Sequence, residues 1–470
     1  MRFRFATLFI LICSFPAALW AQNATVRGLV FDKGTGEPVL YTNVILKGKA
    51  LGAQTNEDGL YNIANVPPGS YIIFCTQLGY DSVEIPITVK PNEILNQKIF
   101  LEKSAIELQN VNISAIREEK KSETSVSMTR ITAKDIARIP SVGGEADLAQ
   151  YLQVLPGVVF TGDQGGELYI RGGSPIQNKV LLDGMTIYNP FHSIGLFSVF
   201  ETDIIRNVKV FTGGFSAEYG DRLSAVLDVT TRDGNKKQFS GKVAVNPFLS
   251  KVVLEGPIKK INDAGSSVSY MFTGKTSYLD QSSKLFYSYI DTGGLPYSFT
   301  DLYGKISLNG SNGSKLSFFG FNFDDHVDYQ FVSEYDWKSF GFGTNFVIVP
   351  GGSKVLIGGT ISYSDYEISL QEGDGLPRTS GINGFDLNID FTYFVPNGDI
   401  KYGFDIGGFR TELQFYNSLG LKIEQNNNTT ELSGFIVYKH IFNEKFILEP
   451  SLRLQYYASL PAFSPEPRIS

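Results

Sequence analysis

The sequence predicts a mainly β protein in three parts: a small β-sandwich, a mixed α/β domain and a long series of antiparallel strands. Composition is the first reason, because 48 glycines, 24 tyrosines and 36 phenylalanines accompany only 19% charged residues in 470. Such a chain is too apolar for disorder and too rich in strand and turn formers for a helical protein. The other reasons are apolar–polar alternation over residues 239–470 and recurrent turns containing Gly, Pro and Asn.

Residues 1–21 have the features of a secretory signal peptide. Arg2 and Arg4 precede an apolar segment, and small residues before position 22 provide a cleavage zone. A membrane-anchor helix is disfavoured because Ser14 and Pro16 interrupt the apolar run, which falls short of the roughly 20 residues that a span needs. No later segment has 18 consecutive apolar residues. A membrane location would therefore require a β-barrel.

The charge balance and the side-chain inventory argue against several functions. Lys and Arg number 41 against 48 Asp and Glu, which is unfavourable for nucleic-acid binding. Two cysteines, Cys13 and Cys75, provide no disulfide framework, and the apolar run around Cys75 predicts that this thiol is buried. The three histidines, His192, His326 and His440, lack metal-ligand spacing. We therefore expect no metal site, no cofactor and no enzymatic activity.

Residues 22–103 alternate short apolar strands with turn clusters, which predicts a β-sandwich. These residues resemble the carboxypeptidase-regulatory-like domain, a transthyretin-like sandwich, at Gly28, Thr35–Pro38, Thr55, Asp58-Gly59, Pro68–Tyr71 and Gly79-Tyr80. The resemblance covers the whole part. It brings no peptidase chemistry, because the closely spaced His and Glu ligands of zinc peptidases are missing.

Residues 104–238 combine two short helices with strand–turn units. Thr132 can cap a helix that ends before Pro140, and apolar residues at helical spacing predict a second helix over 145–155. The pair Asp183-Gly184 follows an apolar run, and it is a strong hairpin signal.

The motifs of this part resemble the plug of TonB-dependent outer-membrane receptors. The matching segments occur in the family's order, at Leu155–Val158, Ile170–Gly173, Asp183-Gly184, Ala217–Gly220 and Thr231–Gly234. Each segment alone is weak, but the ordered set is specific. We therefore assign the plug to residues 117–238, after a linker at 104–116.

Residues 239–470 predict strands with one apolar and one polar face. Leu452, Leu454 and Tyr456 share one face, whereas Arg453 and Gln455 share the other. In a soluble sandwich the apolar face would point inward, whereas in an outer-membrane barrel it faces lipid. Connection lengths favour the barrel, because tight links alternate with longer polar stretches at 279–299, 325–334, 369–381 and 416–429. We count about eleven strands, with a twelfth starting near residue 467.

The resemblance implies a 22-stranded transmembrane β-barrel around the plug, of which these strands form the first half. Eleven strands cannot close around such a domain, and an open edge in lipid would leave backbone groups unpaired. The sequence is therefore interpreted as the N-terminal part of a longer receptor, or alternatively as a truncated reading frame.

The resemblance also implies a TonB box, a short segment that the TonB protein captures by strand addition. The candidate comprises Glu107, Leu108, Gln109, Asn110, Val111, Asn112, Ile113 and Ser114, between the sandwich and the plug. The alternative is a last sandwich strand or a plain linker.

Plug motif residues have both a functional and a structural interpretation. Arg171 and Glu218 could form an ion-pair switch, with each other or with a charge on the barrel wall. The structural alternative is favoured, because tight turns account for the motif residues Arg171-Gly172, Asp183-Gly184 and Glu218-Tyr219-Gly220.

A ligand-contact segment is expected at an apex of the plug. It comprises Tyr188, Asn189, Phe191 and His192, although a lone histidine at a loop tip is more often incidental. A second set could hold a cation in the 325–334 loop, but a solvated loop is favoured there; its members are Asp324, Asp325, His326 and Asp328. The Asn-rich tract at 425–430 predicts a loop tip.

The sequence thus predicts TonB-dependent import across the outer membrane of a Gram-negative bacterium, by rearrangement of the plug inside a barrel. The expected partners are TonB with its inner-membrane energising complex, outer-membrane lipids, and a small molecule, peptide or glycan as cargo. The N-terminal sandwich is expected in the periplasm. The alternative is a surface receptor, adhesin or signalling receptor that binds a ligand without importing it.

Overall fold

The computed structural model describes residues 23–49, 51–104, 127–141, 144–161, 166–286, 289, 293–329, 332–395, 398–417, 419–442 and 446–470. The chain divides into two compact units, the first made of residues 1–34 and 38–115 and the second of residues 35–37 and 116–470. The predicted signal peptide and the candidate TonB box, residues 107–114, lie outside the described residues. Among the helices of the described ranges, none is long and apolar enough to cross a bilayer.

The first unit contains two four-stranded sheets. Its strands are β1 (Ala24–Asp32), β2 (Asn43–Leu46), β3 (Gly52–Gln54), β4 (Leu60–Val66), β5 (Gly69–Thr76), β6 (Val83–Val89), β7 (Ile94–Asn96) and β8 (Ile99–Leu101). One sheet has the order β4-β1-β7 with β8 also on β1, and the other has the order β3-β2-β5-β6. Side chains of both sheets, such as Val26 and Ile73, share one core, which makes the unit a β-sandwich.

Cys75 belongs to this core, as the sequence predicted. Its side chain is fully buried, and burial raises the pKa of the thiol to about 12. The thiol is therefore an apolar core group rather than a reactive one.

The second unit begins with the plug, which is built on a five-stranded sheet of order β13-β12-β15-β14-β9 and a separate hairpin β10-β11. Its strands are β9 (Met128–Ile131), β10 (Val158–Thr161), β11 (Glu167–Ile170), β12 (Asn178–Leu182), β13 (Met185–Thr186), β14 (Ile205–Phe211) and β15 (Ala225–Thr231). Strands β12 and β15 run parallel, and the other pairs are antiparallel.

The plug helices are shorter than the sequence predicted. Helix α1 (Ala133–Ile136) begins after Thr132, which forms a capping box with Asp135. Helix α2 (Leu148–Leu152) begins three residues after the predicted start, because the Asp147 carboxylate accepts the Ala149 amide and caps the helix there. Both helices use their apolar side chains, including Ile136 and Leu152, in the plug core.

The rest of the second unit is one antiparallel sheet, here called the wall. Its strands are β16 (Ser240–Val245), β17 (Leu249–Lys259), β18 (Ser267–Ser277), β19 (Tyr297–Asn309), β20 (Lys315–Tyr329), β21 (Ser333–Ile348), β22 (Val355–Glu372), β23 (Pro377–Val395), β24 (Gly398–Tyr416), β25 (Lys422–Phe442), β26 (Phe446–Leu448), β27 (Pro450–Tyr457) and β28 (Ala462–Ile469). Each strand pairs with its neighbour in sequence, except that β26 and β27 both pair with β25. Helix α3 (Leu279–Phe286) lies between β18 and β19.

The wall has a polar face toward the plug and an apolar face away from it. On β27, Arg453 and Gln455 are 2% and 1% exposed, whereas Leu452, Leu454 and Tyr456 are 37–41% exposed. Water would penalise such an outer face, and the hydrocarbon of a bilayer would not. The barrel interpretation of the alternating strands is confirmed.

Three of the predicted long loops, at residues 325–334, 369–381 and 416–429, are wrong. The strands continue through these polar stretches. The links β22–β23 and β24–β25 span only residues 373–376 and 417–421, and β25 is 21 residues long. The Asn-rich tract at 425–430 therefore lies inside β25 rather than at a loop tip. A strand that continues past the bilayer has polar residues on both faces, so its sequence resembles a loop although its backbone is fully paired.

Candidate functional site

The candidate site is the surface on which the plug meets the polar face of the wall. Both belong to the second unit, and their contact is formed by buried charged groups as well as by apolar packing. A buried charge is tolerated only when it is paired and hydrogen-bonded, so each such group identifies a contact that the fold depends on.

The Asp183-Gly184 pair forms the turn between β12 and β13, as the sequence predicted. Both residues have positive φ, 52° and 88°, which a two-residue type I′ hairpin requires. A Cβ on Gly184 would lie 2.7 Å from the Thr360 hydroxyl oxygen, so glycine also permits close approach to strand β22.

The Asp183 carboxylate is more than a turn residue, because it joins the plug to the wall. It accepts hydrogen bonds from the Thr231 amide and hydroxyl at 3.0 and 2.6 Å and from the Tyr303 hydroxyl at 2.5 Å. The Lys305 ammonium of β19 lies 3.2 Å away, and both charged side chains are almost fully buried. Burial raises the pKa of Asp183, but Lys305 and the hydrogen bonds outweigh it and lower the pKa below its ordinary value.

His192 forms a second buried contact. Its Nε2 lies 2.9 Å from Asp301 on β19 and its Nδ1 lies 3.3 Å from Asp325 on β20. Each ring nitrogen faces a carboxylate oxygen, and this arrangement favours the imidazolium, in which both nitrogens are donors. Burial lowers the pKa of His192, but the two carboxylates outweigh burial and raise it to about 9. The ring also stacks on Phe299 at 3.7 Å.

Further ion pairs surround the plug. The Lys251 ammonium of β17 lies 2.7–2.8 Å from three plug carboxylates, those of Glu145, Glu201 and Asp203. Near the start of the wall, the fully buried Asp233 lies 3.0 Å from the Lys315 ammonium. The wall therefore supplies cations to plug carboxylates at several separate points.

The Glu218-Tyr219-Gly220 motif faces the later strands of the wall. Glu218 pairs with Lys401 of β24, which is the wall-charge alternative rather than a pair with Arg171. The Tyr219 hydroxyl donates to Asp228 at 2.9 Å. A Cβ on Gly220 would lie 2.2 Å from the Arg453 side chain, so this glycine leaves room for the buried guanidinium.

Arg171, unlike Glu218, does not pair with a charged residue of the wall within the described residues. It has a φ of 49° in the turn after β11 and an exposed side chain, and no carboxylate of the described residues lies within ion-pair distance of it. The neighbouring Gly172 has a φ of 80°. Both positions thus lie in a turn, which is what the structural alternative predicts for them.

The predicted ligand-contact segment is divided by the structure. Phe191 and His192 are 3% and 1% exposed, so the expected loop tip at His192 is wrong; the ring is held between wall carboxylates. Phe191 packs edge-on against Phe160 in the plug core. The Asn189 amide approaches the Tyr366 hydroxyl at 3.4 Å, and Tyr188 lines a cavity. Ligand contact stays a prediction for these last two residues.

The predicted cation set is not brought together. Residues 324, 325, 326 and 328 lie on β20 rather than in a loop, and alternation places Asp325 toward the plug and the other three on the opposite face. The His326 ring instead lies 2.9 Å from Asp336 and 3.9 Å from Glu334 of β21, and all three side chains are exposed.

A cavity of about 450 Å³, lined by both charged and apolar side chains, lies between the plug and strands β22–β27. Its plug side includes Lys179, Tyr188 and Glu218, and its wall side includes Asp386 and Lys401. The sequence alone predicts neither this cavity nor the contacts of Lys305, Asp301 and Asp325 with the plug. The available signal was a charged residue at a plug-facing position of a strand, but alternation alone does not identify its partner.

Two family models match the chain. The CarboxypepD_reg-like domain matches residues 26–113, and the TonB-dependent Receptor Plug Domain matches residues 120–226. The first match extends past the predicted end of the sandwich at residue 103 into the candidate TonB box, and the second lies within the predicted plug.

Curated relatives and solved structures agree with these matches. The TonB-dependent receptor SusC of Bacteroides thetaiotaomicron is 28% identical over 248 residues, which cover 50% of this chain and 24% of SusC. The TonB-dependent transporter Oar of Myxococcus xanthus is 24% identical over 267 residues, covering 54% of this chain and 24% of Oar. The chain thus spans about a quarter of the length of the curated relatives it matches.

Among solved structures, the ferric enterobactin receptor PfeA of Pseudomonas aeruginosa superposes with a TM-score of 0.55 at 14% identity, covering 75% of this chain and 60% of that chain. The siderophore receptor PirA of Acinetobacter baumannii has a TM-score of 0.55 at 14% identity, covering 75% and 59%. At these identities the similarity concerns the fold alone.

The fold and the site define a class: outer-membrane proteins in which a plug is docked on the polar face of a β-barrel wall. Within that class, the chain carries a carboxypeptidase-regulatory-like domain followed by the plug domain of TonB-dependent receptors. It is accordingly a protein of the Gram-negative outer membrane with a periplasmic N-terminal domain.

Proposed function

We propose that the complete protein imports a specific substrate across the outer membrane, driven by TonB. The observation that carries this proposal is the docking of a plug, through ion pairs such as Asp183–Lys305 and Glu218–Lys401, on the polar face of a wall whose other face is apolar. The SusC and Oar relatives, one named a receptor and the other a transporter, support it.

Ion pairs suit a plug that must move. Charged groups that leave a partner are stabilised again by water, whereas separated apolar surfaces are not. A contact made partly of ion pairs holds the plug in place while the path for the substrate is closed. When a force is applied, water can replace the partners one by one, so the barrier to rearrangement is divided into small steps.

The force would enter through the segment Glu107–Ser114. TonB would add to it as a β-strand, with main-chain hydrogen bonds carrying the load. The energising complex of TonB lies in the inner membrane, so the periplasmic position of this linker is where TonB could reach it.

We expect the double substitution Val111→Pro/Ile113→Pro to abolish import, because proline removes two amide donors from the added strand. The change would be made in the producing strain, in the protein as it occurs there. Depletion of medium components would be followed by mass spectrometry in wild-type, variant and deletion strains. A component that only the wild type removes identifies both the activity and its cargo.

The matched control is Val111→Thr/Ile113→Val, which keeps both amides and should import like the wild type. Immunoblots of outer membranes check that each variant is present in equal amount. Capture of the proline variant on the periplasmic domain of the host's TonB should also be lost. Unchanged depletion and unchanged capture with the proline variant would overturn the proposed role of the segment.

A further inference from the structure

The face of the wall that points away from the plug carries three potential metal ligands where β20 and β21 pair. The ring of His326 belongs to β20, and the carboxylates of Glu334 and Asp336 belong to β21. One ligand atom from each residue lies within 4.8 Å of the other two. The strand register brings them together, because His326 lies directly opposite Asp336 and Glu334 is the next residue on the same face. We call these three side chains the rim cluster.

The rim cluster lies beyond the apolar part of the outward face. On β21 this face presents Phe342 and Phe340, which are 55% and 48% exposed, and then Lys338 before the cluster. Asp336 is four residues from Phe340, which corresponds to about 13 Å along a strand. The side chains of the cluster are 41–52% exposed. Dissolved ions can therefore reach them.

The carboxylates of the rim cluster are not neutralised by a neighbouring cationic side chain. Within the described residues, no Lys or Arg lies within ion-pair distance of Glu334 or Asp336. Nδ1 of His326 can donate to one carboxylate only, and Asp336 at 2.9 Å is within hydrogen-bonding distance whereas Glu334 at 3.9 Å is not.

A further carboxylate adds to this excess of negative charge. Asp328 lies directly opposite Glu334 in the β20–β21 ladder, and alternation places both on the outward face. Like charges at directly opposed positions destabilise a pair of strands. Since one side of this contact holds no fixed cation among the described residues, the arrangement favours a bound one.

The distances within the rim cluster fit a zinc ion. Tetrahedral zinc with bonds of about 2.0–2.1 Å to nitrogen and oxygen places its ligand atoms roughly 3.3 Å apart. This value lies between the 2.9 and 3.9 Å that separate Nδ1 of His326 from the two carboxylates, so small rotations of exposed side chains would reach it. An imidazole nitrogen among the ligands suits Zn²⁺, whereas Ca²⁺ and Mg²⁺ prefer oxygen ligands.

We propose that His326, Glu334 and Asp336 bind a Zn²⁺ ion at the outer end of the β20–β21 pair. Three protein ligands leave the fourth position of the ion to water. The ion would neutralise the carboxylates and join two strands beyond the apolar part of the wall. The sequence shows no metal-ligand spacing because the ligands come from different strands. This inference does not depend on the proposed import function.

Zinc binding would be measured by calorimetric titration of the full chain in detergent, after a chelator has removed bound metals. We expect the wild type to bind Zn²⁺ and His326→Ala to bind it more than about 100-fold more weakly, since even groups outside a ligand set typically contribute 10–100-fold. Asp336→Asn should weaken binding as well. Circular dichroism checks that each variant keeps its strand content.

His440→Ala is the matched control. It removes a partly exposed histidine of β25 whose Nδ1 lies 2.9 Å from the Tyr438 hydroxyl, and within the described residues no carboxylate lies within ion-pair distance of it. This variant should bind Zn²⁺ like the wild type. Equal zinc binding by His326→Ala and the wild type would overturn the proposed site. Tighter binding of Ca²⁺ than of Zn²⁺ would overturn it too, because carboxylates alone would then be the ligands.

Cobalt provides a second measurement, which needs only the wild-type protein. Tetrahedral Co²⁺ absorbs visible light much more strongly than octahedral Co²⁺, so its spectrum reports the geometry of the site. We expect the wild type loaded with Co²⁺ to show the tetrahedral absorption and Zn²⁺ to abolish it by displacement. A purely octahedral spectrum, or one that Zn²⁺ leaves unchanged, would contradict a three-ligand zinc site.

Discussion

Asp183→Ala is expected to destabilise the plug docked on the wall by roughly 3–5 kcal/mol. This is the cost of leaving one member of a buried ion pair without its partner. The Lys305 ammonium, 2% exposed, would face a methyl group and keep its hydrogen bonds to the Thr231 hydroxyl and carbonyl, but it would lose its paired carboxylate. The Tyr303 hydroxyl and the Thr231 amide would lose their acceptor as well. Hydrogen–deuterium exchange of plug peptides around residues 178–187 in detergent-solubilised protein would measure the loss.

The double variant Asp183→Ala/Lys305→Met tests whether the unpaired Lys305 charge causes the destabilisation. It removes both members of the pair, so its plug should exchange more slowly than that of Asp183→Ala alone. Equal exchange in the single and double variants would show that the unpaired ammonium is not the cause. Cells with the single variant should also become sensitive to large antibiotics that the outer membrane normally excludes.

Raising the pH through about 9 is expected to weaken the contact between His192 and the wall. The ring then loses the positive charge that pairs with the carboxylates of Asp301 and Asp325. Its pKa is raised from the ordinary value of 6.5 to about 9, so the stabilisation is complete below pH 6.5 and is lost as the pH rises through 9. The pKa shift of His192 corresponds to a contribution of about 3 kcal/mol at most to the free energy of unfolding. The exchange of peptides covering residues 189–199 should therefore accelerate between pH 7 and pH 10, after correction for intrinsic exchange.

The variant His192→Ala should show fast exchange at every pH, without this transition. His326→Ala is the matched control, because that ring is 41% exposed on the opposite face of the wall. It should keep the wild-type profile. A wild-type plug whose corrected exchange is independent of pH over the same range would show that His192 is neutral in the folded protein.

Much of the fold could be predicted because the relevant signals are local. Alternation at residues 452–456 correctly separated the apolar face from the face of Arg453 and Gln455. The hairpin at Asp183-Gly184 was predicted from two residues whose positive φ the turn demands. The same local reasoning made loops of residues 369–381 and 416–429, because a paired strand outside the bilayer has no apolar face to identify it.

The contacts between plug and wall could not be predicted from the sequence, for a different reason. Asp183 and Lys305 are 122 positions apart, and His192 lies 109 and 133 positions from its two carboxylates. Which charges meet is decided by the register of every intervening strand and by where the plug sits against them. A one-residue shift would turn Lys305 to the opposite face of the wall.

The sequence by itself determined the order of the parts, the polarity of the two wall faces, the hairpin of the plug and the family resemblance. These depend on side-chain alternation, turn chemistry and short motifs, all of which act within a few residues. Only the tertiary structure decided that Asp183 and His192 are buried anchors, that Glu218 meets Lys401 and that a cavity lines one side of the plug. Burial and pairing arise when distant segments exclude water together, and that exclusion is a property of the assembled fold.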